Sequence, residues 1–247
     1  MKIIISPTKK MRQDEKSLPP ISKPAFISEA ETVKSEIQKL SYNEAKALWK
    51  TNDKLTDENY NRFSNMDLTK YLTSAILAYE GIAFKYMAPA VFEDNMLSYV
   101  QNNLYILSAM YGALKPMDGI VPYRLEMQAP LHIDSYTNLY DFWGDKIYNH
   151  IIDKNKIIIN LASKEYSKII TKYKQKDDVI IDIIFGEISN GKVVQKGTYA
   201  KIARGEMVRF MAQNNITEID EIKSFNLLDY KYNHELSTDT KLVFIKQ

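Results

Sequence analysis

The side chains best suited to chemistry in this chain lie in short segments where predicted strands give way to loops. Residues 6–9 and 160–166 each follow an apolar run of the kind that forms a buried strand. In open α/β sheets, ligands bind beyond the carboxyl ends of the strands. A plain turn at residues 6–9 and helix capping by Ser163 are the structural alternatives. The candidate site residues in these two segments are Ser6, Lys9, Asn160, Ser163 and Glu165.

A third segment, residues 107–127, combines turn residues with charged and aromatic side chains. Its glycines and prolines permit a tight hairpin whose exposed backbone amides would hold a phosphate. If residues 122–127 are extended, Arg124 and Glu126 point to the same face and place a guanidinium beside a carboxylate. A structural ion pair in a rigid loop explains the same pattern without a ligand. The candidates are Ser108, Tyr111, Gly112, Tyr123 and Arg124 for binding, and Glu126, Asp118 and Glu165 for catalysis.

The fourth segment, residues 199–210, has the spacing of a helix. On a helix Lys201, Arg204 and Arg209 fall within about 140° of one another, opposite an apolar side. Such a basic side can bind phosphates, and an amphipathic surface helix is the alternative. Only five of the 33 basic residues are arginine, and three of the five lie in these segments. Since arginine offers a planar fork of donors that lysine lacks, this usage favours anion binding.

Composition excludes several classes of site. The chain has no cysteine and only three histidines, none of them at the spacing of a metal-ligand pair, so we expect no metal site. Phosphate-binding glycine loops, dinucleotide fingerprints and nucleophile elbows are also absent, and we expect no cofactor. The longest apolar runs are too short to span a membrane, and no signal peptide begins the sequence. We therefore expect a cytoplasmic protein without membrane contact.

Hydrophobic patterning predicts a mixed α/β (α+β) fold. With 247 residues and 45% apolar content, one compact domain spanning residues 1–247 is expected. Strands at 3–5, 104–107 and 156–162 begin a mixed central sheet, helices dominate the amino-terminal half, and residues 156–195 form a β-α-β-β unit. The predicted helices are 28–40, a second one opened by a Ser41/Glu44 capping box, 72–79, 94–103, 139–151, 163–173 and 198–214.

Taken together and in this order, these segments resemble the YaaA family of peroxide stress resistance proteins. The resemblance implies a cytosolic bacterial protein that protects against hydrogen peroxide by lowering free intracellular iron. It also implies DNA binding through a positively charged cleft and a helix-hairpin-helix element, which we expect around residues 111–114. Lys115 and Thr8 stand where the family often has arginine and alanine, so neither is given a strict role. The motifs are residues 5–9, 52–55, 111–118, 122–127, 140–145, 160–163, 199–205 and 225–226.

Three functional hypotheses follow. The leading one is a DNA-binding stress protein, expected to be monomeric, that contacts phosphates without reading sequence. The second is an enzyme acting on a nucleobase or nucleotide, a repair-type lyase or glycosylase, because general acid–base catalysis needs carboxylates beside cations. Direct iron sequestration by aspartate and glutamate is the third. The residues predicted to contact DNA are Lys9, Lys54, Arg124, Lys201, Arg204 and Arg209.

Overall fold

The computed structural model describes residues 1–247 and contains twelve strands, eleven α-helices and one 3₁₀ turn. The strands are β1 (Lys2–Ile5), β2 (Lys10–Met11), β3 (Thr73–Ser74), β4 (Tyr79–Glu80), β5 (Leu104–Ser108), β6 (Gly112–Leu114), β7 (Gly119–Ile120), β8 (Ile157–Leu161), β9 (Val179–Ser189), β10 (Lys192–Val194), β11 (Tyr230–Tyr232) and β12 (Lys241–Lys246). The helices are α1 (Ile27–Gln38), α2 (Tyr42–Trp49), α3 (Asp53–Ser64), α4 (Ala75–Ala78), α5 (Ile82–Met87), α6 (Asp94–Asn103), α7 (Leu139–Trp143), α8 (Lys146–Ile151), α9 (Lys164–Thr171), α10 (Gly197–Gln213) and α11 (Ile219–Ile222).

Eight strands form a mixed central sheet in the order β11-β12-β9-β8-β1-β5-β6, with β10 paired to β9. β1 runs parallel to β5 and β8, and β8 runs parallel to β9. The register places Ile5 opposite both Ile106 and Leu161. Because these three strands are parallel and in step, the residues that follow Ile5 and Leu161 emerge side by side at one edge of the sheet.

The central strands are apolar on both faces and are covered on both faces, as buried parallel strands usually are. Ile3, Ile4 and Ile5 are each at most 1% exposed. They belong to a continuous cluster of 67 buried residues drawn from both halves of the chain. The predicted mixed α/β class is confirmed, and so is the β-α-β-β unit, which consists of β8, α9, β9 and β10.

Capping residues set the start of two helices in the amino-terminal half. Ser41 and Glu44 form the predicted capping box of α2: Glu44 Oε2 accepts from the Ser41 N–H at 2.8 Å, and Ser41 Oγ accepts from the Glu44 N–H at 3.4 Å. Asn52 caps α3 by accepting from the Leu55 N–H at 3.0 Å. None of the helices combines the length and the apolar content that crossing a bilayer requires.

Two of the predicted helices are shorter than their hydrophobic patterns indicate. The stripe at residues 72–79 forms only the single turn α4, because the residues on either side pair with other strands: β3 with β7, and β4 with β2. The predicted helix at 139–151 is divided into α7 and α8 at Gly144, whose φ of 51° is incompatible with a continuous helix. Tertiary pairing and one glycine override the periodic pattern in these places.

Residues 111–114 form a turn and a strand. β6 pairs antiparallel with β5, with Ser108 opposite Gly112. Gly112 has a φ of 73°, and a Cβ there would lie 2.8 Å from the Trp143 ring, so glycine is required for this turn. The expectation of a helix-hairpin-helix element at this position is therefore wrong, because both flanking elements are strands.

Candidate functional site

A cleft of about 510 Å³ lies at the edge of the sheet where β1 and β8 end. All four segments singled out in the sequence contribute to its walls: the loop after β1, the extended segment after β7, the start of α9, and α10. Widely separated parts of the chain therefore meet at one concave surface. Of the predicted site residues, the cleft is lined by Ser6, Lys9, Tyr123, Arg124, Glu126, Ser163, Glu165, Lys201 and Arg204.

Ser6 and Ser163 join the loops that follow β1 and β8. Ser6 Oγ accepts from the Ser163 N–H at 2.8 Å and donates to Ser163 Oγ at 3.2 Å. Ser163 occupies the N-cap position of α9, yet its side chain makes no capping hydrogen bond. The capping alternative for Ser163 is therefore not realised, and its hydroxyl instead ties two loops together at the floor of the cleft.

Arg124 and Glu126 lie on the same face of an extended segment, as their spacing predicts. Residues 121–127 pair with no strand, but their burial alternates along the chain. Arg124 Nη2 lies 3.0 Å from Glu126 Oε1, and Lys9 Nζ lies 2.8 Å from the same oxygen. Only 14% of the Arg124 side chain and 13% of the Glu126 side chain are exposed. Glu126 is thus held between two cations at the mouth of the cleft.

Three buried polar atoms of the cleft residues have no hydrogen-bond partner: Nε of Arg124, Nε of Arg204 and Oε1 of Glu126. The Glu126 oxygen lies within ion-pair distance of its two cations, so the two arginine Nε atoms are the groups left without a partner. Buried polar groups are nearly always satisfied, and an unsatisfied one costs about 1–3 kcal/mol. Their concentration in one cleft is typical of a site whose ligand completes the missing hydrogen bonds.

Arg204 reaches the cleft because α10 crosses α5 at very short range. A Cβ on Gly205 would lie 1.9 Å from the Ala83 carbonyl oxygen, so only glycine permits this approach. At this crossing α10 presents Lys201 and Arg204 to the cleft. Arg209 is about 140° further around the helix and lies outside the cleft. Only part of the basic side of α10, the part that carries Lys201 and Arg204, therefore faces the cleft.

The ionisable groups of the cleft differ in their surroundings. Burial lowers the pKa of the Arg204 guanidinium, and the charge of Asp182 opposes that shift. Burial raises the pKa of Glu165, and the negative charge of Glu126 adds to the effect. Burial also raises the pKa of Tyr123 to about 12, so this hydroxyl stays neutral near pH 7. A carboxylate paired with cations, next to one whose pKa is raised by burial, is an arrangement suited to general acid–base chemistry.

Ser108, Tyr111 and Gly112 lie behind the cleft and do not line it. Ser108 Oγ accepts from the Tyr111 N–H at 2.9 Å and lies 2.8 Å from the Tyr123 hydroxyl. The Tyr123 hydroxyl is also 2.9 Å from that of Tyr79. These buried contacts fix the Tyr123 ring, which forms part of the cleft floor.

Asn160 also supports the cleft from behind. Its Nδ2 donates to Asp182 Oδ1 at 2.6 Å, and its Oδ1 accepts from the Ala162 N–H at 2.9 Å. The first bond ties β8 to β9, and the second shapes the turn that leads to Ser163. Because both polar ends of the amide are engaged and the residue is 7% exposed, Asn160 is not free to contact a ligand.

Asp118 and Lys54 lie outside the cleft that the other candidates share. Asp118 is 3% exposed, and its carboxylate accepts from Ser22 Oγ at 2.7 Å and from the Lys115 N–H at 2.8 Å. These bonds close a turn and attach the amino-terminal loop to it. Lys54 is exposed in the first turn of α3, where Asn52 and Leu55 form the cap. Helix capping and turn closure explain these two motifs.

The remaining wall of the cleft consists of residues that sequence reasoning did not single out. Glu80, Gly81 and Ile82, at the junction of β4 and α5, line the cleft beside Lys10 of β2, which pairs with Glu80. Lys10 Nζ pairs with Glu80 Oε2 at 2.9 Å. A Cβ on Gly81 would lie 2.4 Å from Cγ2 of Thr8, so this glycine makes room for the loop after β1. The only sequence signal was an isolated glycine after an acidic residue, which is too common to be informative.

The whole cleft is cationic. Its lining includes five lysine or arginine residues and three glutamates, a formal excess of two positive charges. No group of three or more His, Cys, Asp or Glu side chains converges at a position able to hold a metal ion. The fold and the site thus define an α/β protein with a cationic cleft at the carboxyl ends of its parallel strands. Two arginine side chains in this cleft have buried Nε atoms without hydrogen-bond partners.

Residues 1–236 match the family described as peroxide stress protein YaaA, and the chain belongs to this family. It is 56% identical over 244 residues to a UPF0246 protein of Agathobacter rectalis, covering 99% of this chain and 98% of that protein. A UPF0246 protein of Lachnoclostridium phytofermentans is 48% identical over 246 residues, covering 100% of this chain and 96% of that protein. A UPF0246 protein of Pediococcus pentosaceus is 49% identical over 246 residues, covering 100% of this chain and 98% of that protein. The family membership inferred from the ordered motifs is confirmed.

Proposed function

We propose that this peroxide stress protein binds DNA through its cationic cleft. The phosphate-contacting residues are Lys9, Arg124, Lys201 and Arg204, which converge there. The observation that carries the proposal is the pair of guanidinium groups whose buried Nε atoms have no partner. Phosphate oxygens are strong acceptors for arginine and would complete both groups.

The chemistry of the cleft favours binding that is independent of base sequence. Lysine and arginine contact phosphates whatever base is attached to them, and such contacts set affinity without reading sequence. Lys201 is exposed and Lys9 is 66% exposed, so both reach solvent where a sugar-phosphate backbone would pass. Because each contact releases a counterion, affinity should depend steeply on salt concentration.

A salt titration of DNA binding by fluorescence anisotropy tests the proposal. Four phosphate contacts predict a slope of about −3 to −4 in log affinity against log salt. Arg204→Gln should weaken binding and make the slope shallower by about one. Lys54→Gln removes the same charge outside the cleft and is the matched control. A flat salt response, or equal losses in both variants, would contradict the proposal.

Lowering of free intracellular iron is the second part of the proposed function. It is supported by the description of the family as peroxide stress proteins and by the family resemblance of the motifs. Because no cluster of metal-ligating residues is present, the proposal assigns no iron ligand to the chain. Free iron measured by electron paramagnetic resonance in peroxide-treated cells, with and without the protein, tests this part. If the protein protects cells from peroxide without changing the level of free iron, this part of the proposal is wrong.

A second candidate function, an enzyme acting on a nucleobase or nucleotide, is favoured by one observation. Glu126 and Glu165 line the same cleft in different surroundings, since Glu126 pairs with two cations while burial raises the pKa of Glu165. Such a pair can divide the roles of base and acid. Asp118 is excluded from this role because it is buried away from the cleft.

Turnover assays on DNA that contains damaged bases test the enzyme hypothesis. Glu126→Gln and Glu165→Gln should each abolish turnover if the carboxylates are catalytic, while both variants still bind DNA with an affinity altered by the lost negative charge. Asp118→Asn, which changes a carboxylate outside the cleft, is the control. If the wild-type protein converts none of the damaged substrates, the enzyme hypothesis is removed and the binding function stands alone.

A further inference from the structure

A second hollow of about 480 Å³ adjoins the cleft, and its position was not evident from the sequence. It is bounded by the loop that carries Arg12, by α4 and β4, and by α5. We call this second hollow the side lobe. The cleft and the side lobe share Lys10, Glu80, Gly81 and Ile82. The two hollows are therefore neighbours that share one wall, and we call the pair the groove.

The boundary between the two parts is a partly exposed ridge formed by the residues that line both. It carries the ion pair of Lys10 and Glu80, whose side chains are 79% and 34% exposed. Exposed ion pairs of this kind contribute at most about 1 kcal/mol, so the pair does not hold the two parts apart. Ile82, at the start of α5, is 38% exposed at the same boundary. An exposed apolar side chain at this boundary can contact a flat group in either hollow.

The side lobe repeats the chemistry of the cleft in simpler form. Lys85 is exposed at its rim. The Arg12 Nε donates to the Leu77 carbonyl at 3.0 Å, which holds the guanidinium at the wall of the lobe, while 40% of the side chain stays exposed. The floor is apolar and includes Ile76 and Phe84. Arg12 also pairs with Asp14, its Nη2 lying 3.4 Å from Asp14 Oδ2. Lys85 is therefore the cation of the lobe that has no ion pair, and it lies at the rim above an apolar floor.

The floors of the two parts are continuous. Tyr79 contributes to the side lobe and Tyr123 to the cleft, and their hydroxyls lie 2.9 Å apart beneath the ridge. Both rings are buried and contact further aromatic rings. A buried, hydrogen-bonded pair of tyrosines therefore links the floors of the two hollows.

The size of each hollow limits what can enter. Both lie within the range of about 300–1,000 Å³ that accepts one ligand of nucleotide size. A base can enter such a space only when it is unpaired, because the bases of a duplex lie stacked between two backbones. We propose that the groove binds an unpaired nucleic-acid strand, with one nucleotide in the cleft, its neighbour in the side lobe, and Ile82 between the two bases. This inference depends on the proposed function.

Binding of thymidylates of increasing length tests the inference. A competition assay against a labelled strand would compare four ligands: thymidine monophosphate, its dimer, its hexamer and a blunt duplex of matched phosphate number. We expect a gain in affinity from monomer to dimer and weaker binding of the duplex than of the hexamer. Lys85→Gln should reduce the ratio of hexamer to monomer affinity about five-fold, the order expected for one lost phosphate contact. Arg204→Gln should weaken every length.

The outcomes separate this inference from the function on which it depends. If the duplex binds as tightly as the hexamer, or if Lys85→Gln leaves the length dependence unchanged, the unpaired-strand assignment is wrong while DNA binding survives. Binding of the monomer without a gain on lengthening would identify a free nucleotide as the ligand and also overturn it. If no nucleic acid binds, the proposed function itself fails. Lys54→Gln again controls for charge, and thermal melting confirms that each variant is folded.

Discussion

Asp118 and Glu126 are two carboxylates in the same segment of the chain, and the structure gives them opposite environments. Asp118 is closed off by hydrogen bonds from Ser22 Oγ and the Lys115 N–H. Glu126 instead pairs with two cations of the cleft, Lys9 and Arg124. The comparison teaches that the partners of a carboxylate, internal donors in one case and cleft cations in the other, separate a structural carboxylate from one that lines a site.

The largest effect is expected at Gly205, where α10 packs against α5 and so positions Arg204 at the cleft that also contains Glu126. Gly205→Ala would put a Cβ 1.9 Å from the Ala83 carbonyl oxygen and force α10 away from α5. We expect a loss of about 3 kcal/mol in the free energy of unfolding, because overpacking against backbone cannot relax locally. Arg204 would move with the helix, and DNA binding should fall as well. Urea denaturation and anisotropy measure the two effects.

Gly197→Ala is the matched control, since it lies in the same helix and a Cβ there would meet nothing within 4 Å. It should leave both stability and binding unchanged. If Gly205→Ala were equally silent, the close crossing of α10 and α5 would not be what positions Arg204.

Asp118, whose carboxylate accepts two internal hydrogen bonds, should affect the stability of the protein and not its affinity for DNA. Asp118→Ala leaves Ser22 Oγ and the Lys115 N–H without their acceptor, and we expect a loss of about 2 kcal/mol in the free energy of unfolding. DNA binding by the folded variant should match the wild type. Glu126→Gln should alter the affinity for DNA, because it removes a negative charge from the cleft and releases Lys9 and Arg124 from their ion pairs. Loss of the partner of the buried Arg124 guanidinium should also lower the urea midpoint. Selective loss of binding in Asp118→Ala would break the comparison.

Arg204 should show a trade-off between stability and binding. Its buried Nε atom has no partner, so Arg204→Met removes an unsatisfied group and should raise the free energy of unfolding by about 1 kcal/mol. The same change should weaken DNA binding by about ten-fold, through the loss of one forked phosphate contact. Reduced stability in this variant would show that the guanidinium is structurally required.

The smallest expected effect is a pH dependence of binding that comes from Glu165. Burial and the charge of Glu126 raise its pKa, so Glu165 takes up a proton at a higher pH than an ordinary glutamate. As pH falls through that raised pKa, the cleft loses a negative charge, and affinity for DNA should increase by about three-fold. Glu165→Gln should abolish this increase. An unchanged pH profile in that variant would assign the titration to another group.

Local signals in the sequence were sufficient where neighbouring residues decide the structure. The capping box of Ser41 and Glu44 forms as expected, and the alternation around Arg124 and Glu126 places both on one face. The apolar run at β8 becomes a central buried strand. Each of these outcomes depends on contacts within a few residues or on a simple apolar pattern, and such information is present in the sequence.

Local signals failed where distant residues compete for the same groups. The stripe at residues 72–79 has helical spacing, but pairing with β2 and β7 leaves only one turn of helix. Ser163 stands at an N-cap, but Ser6 engages it instead. Lys54 carries the same charge as Lys201 and lies outside the cleft. No short-range pattern distinguishes these cases.

The sequence by itself determined the fold class, the family and most of the segments that contribute to the cleft, because these follow from hydrophobic periodicity and from ordered motifs. Only the tertiary structure decided which charges face one another. The crossing of α10 and α5 at Gly205, the parallel register of β1 and β8, and the side lobe beside Ile82 arise from packing between parts of the chain far apart in sequence. Packing of that kind depends on side-chain shape in three dimensions, which a linear pattern does not specify.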